Sequence, residues 1–429
     1  MKRFVILFIA LAISTTAIAQ NAAEIKSFDP SYKYELYRPY PVENVADAPR
    51  TDAPKGFKPF YISTLARHGS RHHSSLSSYT DISKVFEAAH DRGELTPLGE
   101  RFRADWLILA YAAENRAGEL TQLGQEQHRG IMHRIVESYP EIFSTKGGRR
   151  CFVDCRSTIV PRCILSMAAA VTELKSLRPD VEVRMESSEA NTYLKAYAGL
   201  NSVAKHSLPL SDSLRRANMP DPSAFIGRLF KDGSTSVAEI ESVNDFMYKT
   251  FIGVGVLGST PHPQLKDLSY IFTEEEAAAV WRASNIRRYA LTGPCKSFQK
   301  QILGGIKPFV RNVISTADRA IAEGDEQATL RFAHDVTVIP FSAFVGIPSC
   351  NVITDDFENV SYKWQINKVT PMAANIQLVF YRNKSGEILV KVLHNEYEQR
   401  LDEAVGKPIN GVYYRWSDLR QYMMNKLEE

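Results

Sequence analysis

Apolar and polar positions follow two distinct periods along this chain. Runs rich in β-branched and aromatic residues predict strands at 60–66, 150–155, 181–185, 330–333, 376–381 and 388–393. Other stretches place apolar residues every three or four positions. Leu98, Phe102, Trp106, Leu109 and Ala113 predict a helix from Pro97 to about Arg116, with Thr96 as its cap. Leu123, Gln127, Ile131 and Ile135 share one face of a second helix, from near Thr121 to about Ser138. Two more are expected from about Val160 to Leu177 and over 297–322. The last two strands flank Asn383-Lys384-Ser385-Gly386, which signals a hairpin.

Residues 186–295 break this alternation. They show helical patterns interrupted by Pro, Gly, Ser and Asp, and no strand run. The expected fold is an α/β core with a mixed sheet flanked by helices on both faces. Segments 20–185 and 296–429 build that core, and 186–295 form an inserted, mainly helical cap. Residues 20–56 read as an irregular lead-in.

The first nineteen residues read as an address. Lys2 and Arg3 precede the apolar run Phe4 to Ile13, and Ala17-Ile18-Ala19 supplies a cleavage site. The run is about half the length that a membrane-spanning helix needs. A signal peptide over 1–19, export to the periplasm or beyond the cell, and a mature start near Gln20 are therefore expected. No later segment is long and apolar enough to span a bilayer.

Composition narrows the function. With 44% hydrophobic and 24% charged residues in 429, the chain is an ordinary globular one. Lys plus Arg is 52 and Asp plus Glu is 49, so the net charge of +3 lacks the basic footprint of a nucleic-acid binder. Any anion site must be a local cluster. Five cysteines leave at least one free thiol. Cys151 and Cys155 would lie roughly 13 Å apart on a strand, beyond disulfide reach. Most cysteines are expected as small buried hydrophobes.

Three predicted strands stop at unusual polar residues: Arg67-His68-Gly69-Ser70-Arg71, Arg156, and His334-Asp335. Ligands of open α/β sheets bind beyond the carboxyl ends of strands. If the three strands are neighbours, three Arg, two His and one Asp converge, a set suited to a phosphate dianion. Such a set has many Arg and no cluster of carboxylates for Mg²⁺, so no cofactor or metal is expected. A neutral His can be the nucleophile, and Arg side chains can neutralise the transferring phosphoryl group. Asp335 can protonate the leaving alkoxide.

Arg67-His68-Gly69-Ser70-Arg71 and the distant His334-Asp335 resemble the two signatures of the histidine acid phosphatases, branch 2 of the histidine phosphatase superfamily. Leu120-Thr121-Gln122-Leu123-Gly124, Arg156-Ser157-Thr158 with Arg162, and the strand Val390 to Glu396 are similar to further elements of that family, in family order. The resemblance implies an α/β domain with an inserted α-domain and no metal cofactor. It implies His68 as the nucleophile that becomes phosphohistidine and Asp335 as the proton donor. It assigns the transferred phosphate to Arg67, Arg71, Arg156 and His334. Many members carry Pro where this chain has His73. Inositol polyphosphate phosphatases usually carry His-Ala-Glu where this chain has His334-Asp335-Val336.

His72 and His73 follow the first motif and are candidates for bordering the substrate. Arg162 reads as a salt-bridge partner, and His128 and His133 as surface residues. Lys195 and Lys205 of the cap are candidate contacts for extra phosphates. The expected function is an exported phosphomonoesterase acting as a monomer on a small phosphorylated substrate, with phytate-like inositol phosphates favoured. General acid phosphatase or sugar-phosphate phosphatase activity is the alternative within the family. A phospho-ligand binding module is the alternative of another class. The mutase branch is disfavoured by the leader and the long insert.

Overall fold

The computed structural model describes residue 28 and residues 30–40, 45–195 and 197–429, without side-chain detail for 197–206. The leader reading and the Lys205 side chain fall outside the described residues.

Eight strands form one sheet: β1 (Lys58–Arg67), β2 (Phe152–Ser157), β3 (Glu182–Ser187), β4 (Ala328–Ala333), β5 (Asn375–Arg382), β6 (Ile388–His394), β7 (Tyr397–Glu398) and β8 (Tyr413–Arg415). Their order is β3-β2-β4-β1-β5-β6-β7, with β8 also on β6. The first four in that order run parallel, and β5 and β6 turn antiparallel as a hairpin. The sheet is therefore mixed.

The principal helices are α1 (Ser77–Asp91), α2 (Pro97–Ala112), α3 (Gln122–Ser138), α4 (Pro161–Leu177), α5 (Tyr197–Ala217), α6 (Ser223–Leu229), α7 (Val243–Gly255), α8 (Glu274–Thr292), α9 (Gln299–Glu323), α10 (Asp335–Phe344) and α11 (Trp416–Glu428). Thr96 and Thr121 cap α2 and α3, accepting from the Gly99 and Gly124 backbone N–H groups.

Period-two alternation in β1 splits the core between two faces. Ile62 and Ala66 join Ile131 and Ile135 of α3 and Met167 and Leu174 of α4 in one apolar cluster. Tyr61 and Leu65 join the other, with Phe309 and Val313 of α9 and most of the remaining helices. Helices thus cover both faces. The second cluster also unites Phe86 and Phe102 with Phe225, Phe230 and Phe246, so α1 and α2 pack on α6 and α7. The helical layer draws on chain from before the 186–295 segment. Tyr79, Ile82, Phe86 and Ala89 of α1 recur at helical spacing, a signal the strand-centred reading passed over.

The register brings three strand ends to one level. Arg67 of β1 pairs with Ala333 of β4, and Ser157 of β2 pairs with Phe332. His68 and His334 each follow the last residue of their strands, so both leave the sheet at its carboxyl edge. All five cysteines are free and buried.

Candidate active site

The loop after β1 is pinned by backbone contacts on every side. His68 N–H donates to the Ala333 carbonyl (3.0 Å), and the His68 carbonyl accepts from Ala373 N–H (3.0 Å). Gly69 N–H donates to Ser166 Oγ of α4 (3.1 Å), and Ser70 N–H to Gln127 Oε1 of α3 (2.8 Å). This explains a polar Gln127 on the buried face of α3.

His68 Nδ1 lies 3.0 Å from the Gly69 carbonyl oxygen. An imidazole can meet a carbonyl there only by donating, so the proton sits on Nδ1 and the lone pair on Nε2. The ring is buried and faces His334 edge-on, with centroids 5.5 Å apart. Burial, then the charges of Arg71 and Arg67, hold its pKa well below 6.5. The charged form is thereby disfavoured, and the ring favours the neutral state that a nucleophile needs.

Arg67 is fully buried. Its Nη1 donates to the Leu36 (2.9 Å) and Thr370 (2.6 Å) carbonyls, while Nε and Nη2 have no hydrogen-bond partner. Burial lowers its pKa to about 10, which still leaves it cationic near neutrality. Arg71 donates from Nη1 to the His72 carbonyl (2.8 Å), leaves Nε unpartnered, and lies 5.3 Å from the Tyr37 ring centroid. Unanswered N–H donors on buried guanidinium groups carry a large desolvation cost unless an anion meets them.

Arg156 departs from expectation. Its Nε donates to both Asp154 carboxylate oxygens (3.0 and 2.9 Å), and its Nη1 pairs with Glu186. Residues two apart on a strand share a face, so Asp154 lies within easy reach of that guanidinium. The structure therefore commits Arg156 to a carboxylate pair within the sheet layer. Arg162, read from sequence as a salt-bridge partner, contributes positive charge at both His68 and His334 from the first turn of α4.

His334 Nε2 lies 3.1 Å from Thr158 Oγ1 and 3.6 Å from Cys163 Sγ. Burial and then Arg162 pull its pKa to about 4. Asp335 opens α10, where the helix N-terminus favours a carboxylate. Burial pushes the Asp335 carboxyl up, but Arg67, Arg288, His334 and Arg71 together hold it below 3.8.

The flanking histidines diverge. His73 packs 5.6 Å from the Tyr37 ring, and burial followed by Arg71 and Arg288 lowers its pKa to about 4. His72 belongs to the other side of the loop. It lines a cleft of about 410 Å³ with Arg116, Glu126 and His262. His128, expected at the surface, is buried against Phe332, whereas His133 is half-buried between Glu137 and Glu173. Lys195 pairs with Glu189.

Four contributors carry no local signal in the sequence. Leu36, Tyr37 and Glu35 come from the segment taken as an irregular lead-in, and Arg288 comes from α8. Arg288 sits beside Arg287, which pairs with Asp212, and no local pattern separates the two roles. Among the described residues, no group of three or more His, Cys, Asp or Glu could hold a metal ion, and no helix is long and apolar enough to cross a membrane.

No protein-family model and no curated protein matches the sequence. Solved structures do. The chain is similar to the multiple inositol polyphosphate phosphatase of Bifidobacterium longum in complex with inositol hexasulfate, at 19% identity and a TM-score of 0.72, over 91% of this chain and 97% of that one. Against the phosphate complex of the same protein the values are 20% and 0.72, over the same shares of the two chains. A phytase from D. castellii aligns at 12% identity and a TM-score of 0.63, over 92% and 85%. These likenesses show a shared histidine acid phosphatase-type fold.

Proposed function

We propose that this chain is an exported phosphomonoesterase that works through a phosphohistidine on His68. The observation that carries the reading is His68 itself, a buried neutral ring whose Nδ1 is held by Gly69 and whose Nε2 is uncommitted, ringed by Arg67, Arg71 and Arg162.

The substrate phosphate answers the unpartnered N–H groups of Arg67 and Arg71. His68 Nε2 attacks phosphorus and the bond to the ester oxygen breaks. Asp335 gives its proton to that oxygen as it leaves. Water then attacks the phosphohistidine, Asp335 takes a proton back, and inorganic phosphate departs. The arginines supply the positive charge that the transferring group needs, so the scheme calls on no metal. The carboxylate held low in the free site gains its proton once substrate charge offsets the arginines. Arg162 takes the phosphate-binding role that the family resemblance had given to Arg156.

The favoured substrates are phytate-like inositol phosphates, handled by a monomer. The fold shared with an inositol polyphosphate phosphatase and a phytase supports that choice. The test is phosphate release by purified protein from inositol hexakisphosphate, a sugar phosphate and an aryl phosphate, each with and without EDTA. Release that survives EDTA and vanishes in His68→Ala is expected. Full activity of His68→Ala on the aryl phosphate sinks the mechanism, and ligand binding without release by the wild type favours a binding module.

A further inference from the structure

Arg288 projects from α8, in the helical layer, toward the sheet-borne site. Its Nε donates to Glu35 Oε1 (2.8 Å). That carboxylate is itself fixed, with Ser284 Oγ donating to Oε1 (3.0 Å) and Leu36 N–H to Oε2 (2.6 Å). Glu35 is buried and sits at φ 47°, ψ −124°, a conformation that side-chain-bearing residues rarely adopt. Strained backbone of this kind clusters at ligand clamps. Holding Nε leaves the two terminal amino groups of Arg288, which make no hydrogen bond among the described residues, on a side chain that stays 23% exposed. The result is a partly buried two-pronged donor with its stem clamped and its fork unanswered.

Its place relative to the other arginines gives that fork a meaning. Arg162 is among the charges that weigh most on His68 and His334, and Arg288 is not. Arg288 weighs instead on Asp335, second among the cations there after Arg67, and on His73. Geometry agrees: Glu35, which clamps Arg288, is followed by Leu36, whose carbonyl accepts from Arg67 Nη1, and by Tyr37, whose ring packs against Arg71 and His73, so Arg288 marks the donor side of the site and Arg162 the nucleophile side. The donor meets the leaving oxygen, so whatever lies past Asp335 faces the leaving group.

We infer that Arg288, oriented by Glu35, is a specificity-determining residue that binds a second phosphate carried on the leaving group. This rests on the hydrolase reading above and narrows its substrate class to esters with two or more phosphates on neighbouring carbons. A guanidinium fork suits such a group, since it matches phosphate oxygens in pairs. Arg287 next to it, engaged by Asp212, is an internal control.

The experiment compares kcat and KM for inositol hexakisphosphate and for p-nitrophenyl phosphate in the wild type, Arg288→Ala, Arg288→Lys and Arg287→Ala. The expected result is a KM for the hexakisphosphate raised about 10- to 100-fold in Arg288→Ala, less in Arg288→Lys and little in Arg287→Ala. The aryl monophosphate, which carries no second phosphate, loses at least about tenfold less than the hexakisphosphate in Arg288→Ala, and Arg287→Ala leaves both substrates within about threefold. Equal losses on both substrates, or none on either, overturn the inference. Arg288→Lys and the charge-neutral pair Glu35→Gln/Arg288→Gln carry the test if Arg288→Ala does not fold, because both spare the structure an unpaired buried carboxylate. Calorimetric binding of the hexakisphosphate in a His68→Ala background reads the subsite without turnover. Arg288-dependent binding by a wild type that releases no phosphate would overturn the hydrolase reading and keep the subsite. Arg288-independent binding by an active wild type would do the reverse.

Discussion

Gly69 and Gly124 meet backbone to backbone. A Cβ added to Gly69 would lie 2.3 Å from the Gly124 carbonyl oxygen, and one added to Gly124 would lie 2.3 Å from that of Ser70. Real Cβ atoms do not approach backbone this closely. The contact lets α3 press on the loop that carries His68.

Gly124→Ala therefore forces the loop and α3 apart. Overpacking of this kind costs about 1–3 kcal/mol. Chemical denaturation is expected to show that loss. Phosphate release should fall more than stability alone explains, because the displaced loop holds the nucleophile. An unchanged kcat in a folded Gly124→Ala protein would mean that the loop tolerates the shift.

The two arginines near β2 should separate cleanly. Arg162→Ala removes charge at His68 and His334 and is expected to lower kcat/KM by about two orders of magnitude. Arg156→Ala instead strips a partner from Asp154 and Glu186. Its effect belongs in stability, with activity within a few-fold of wild type. Steady-state kinetics beside thermal melts checks both, and the opposite ranking would restore Arg156 to the site.

Asp335→Asn tests the donor. Loss of a general acid typically costs about 10²–10⁴ in rate. That loss should be heavy for an alkyl phosphate such as a sugar phosphate and slight for an aryl phosphate, whose leaving group needs little protonation. Equal losses would argue for a purely electrostatic role.

Arg288→Ala should also move the pH profile. Arg67, Arg288, His334 and Arg71 all push the Asp335 carboxyl down. Removing one of these cations raises its pKa, so the protonated donor survives to higher pH. The alkaline limb of kcat/KM for a sugar monophosphate, whose leaving group needs the Asp335 proton, is expected to shift upward. A shift downward would contradict the electrostatic account.

Acid should weaken the fold even where it favours the chemistry. Burial holds His128 and His334 to a pKa of about 4. In the unfolded chain the same rings take protons near pH 6.5. The unfolded state then binds more protons throughout that window, so stability present above pH 6.5 is lost as pH falls toward 4. Each ring accounts for up to about 3 kcal/mol of that loss. Melting temperatures at pH 7 and 4.5 are expected to show the fall. His128→Leu should show a shallower one, and inorganic phosphate bound in the site should restore part of it.

Periodicity by itself determined six of the eight strands, most of the long helices, and the layered α/β architecture, because burial of alternate or every third and fourth residue is written locally. It also marked Arg67, His68, Arg71, His334 and Asp335, since polar residues that abruptly end an apolar strand have few uses except a ligand. Only the tertiary structure decided which guanidinium groups stand near the two histidines. On paper Arg156 reads as the phosphate ligand and Arg162 as a salt-bridge partner. The pleat turns one toward Asp154, and the first turn of α4 brings the other near both histidines. The same holds for Glu35 and Arg288, some 250 residues apart in sequence and joined by one hydrogen bond. Charge placement between distant segments has no period, so no pattern along the chain could announce it.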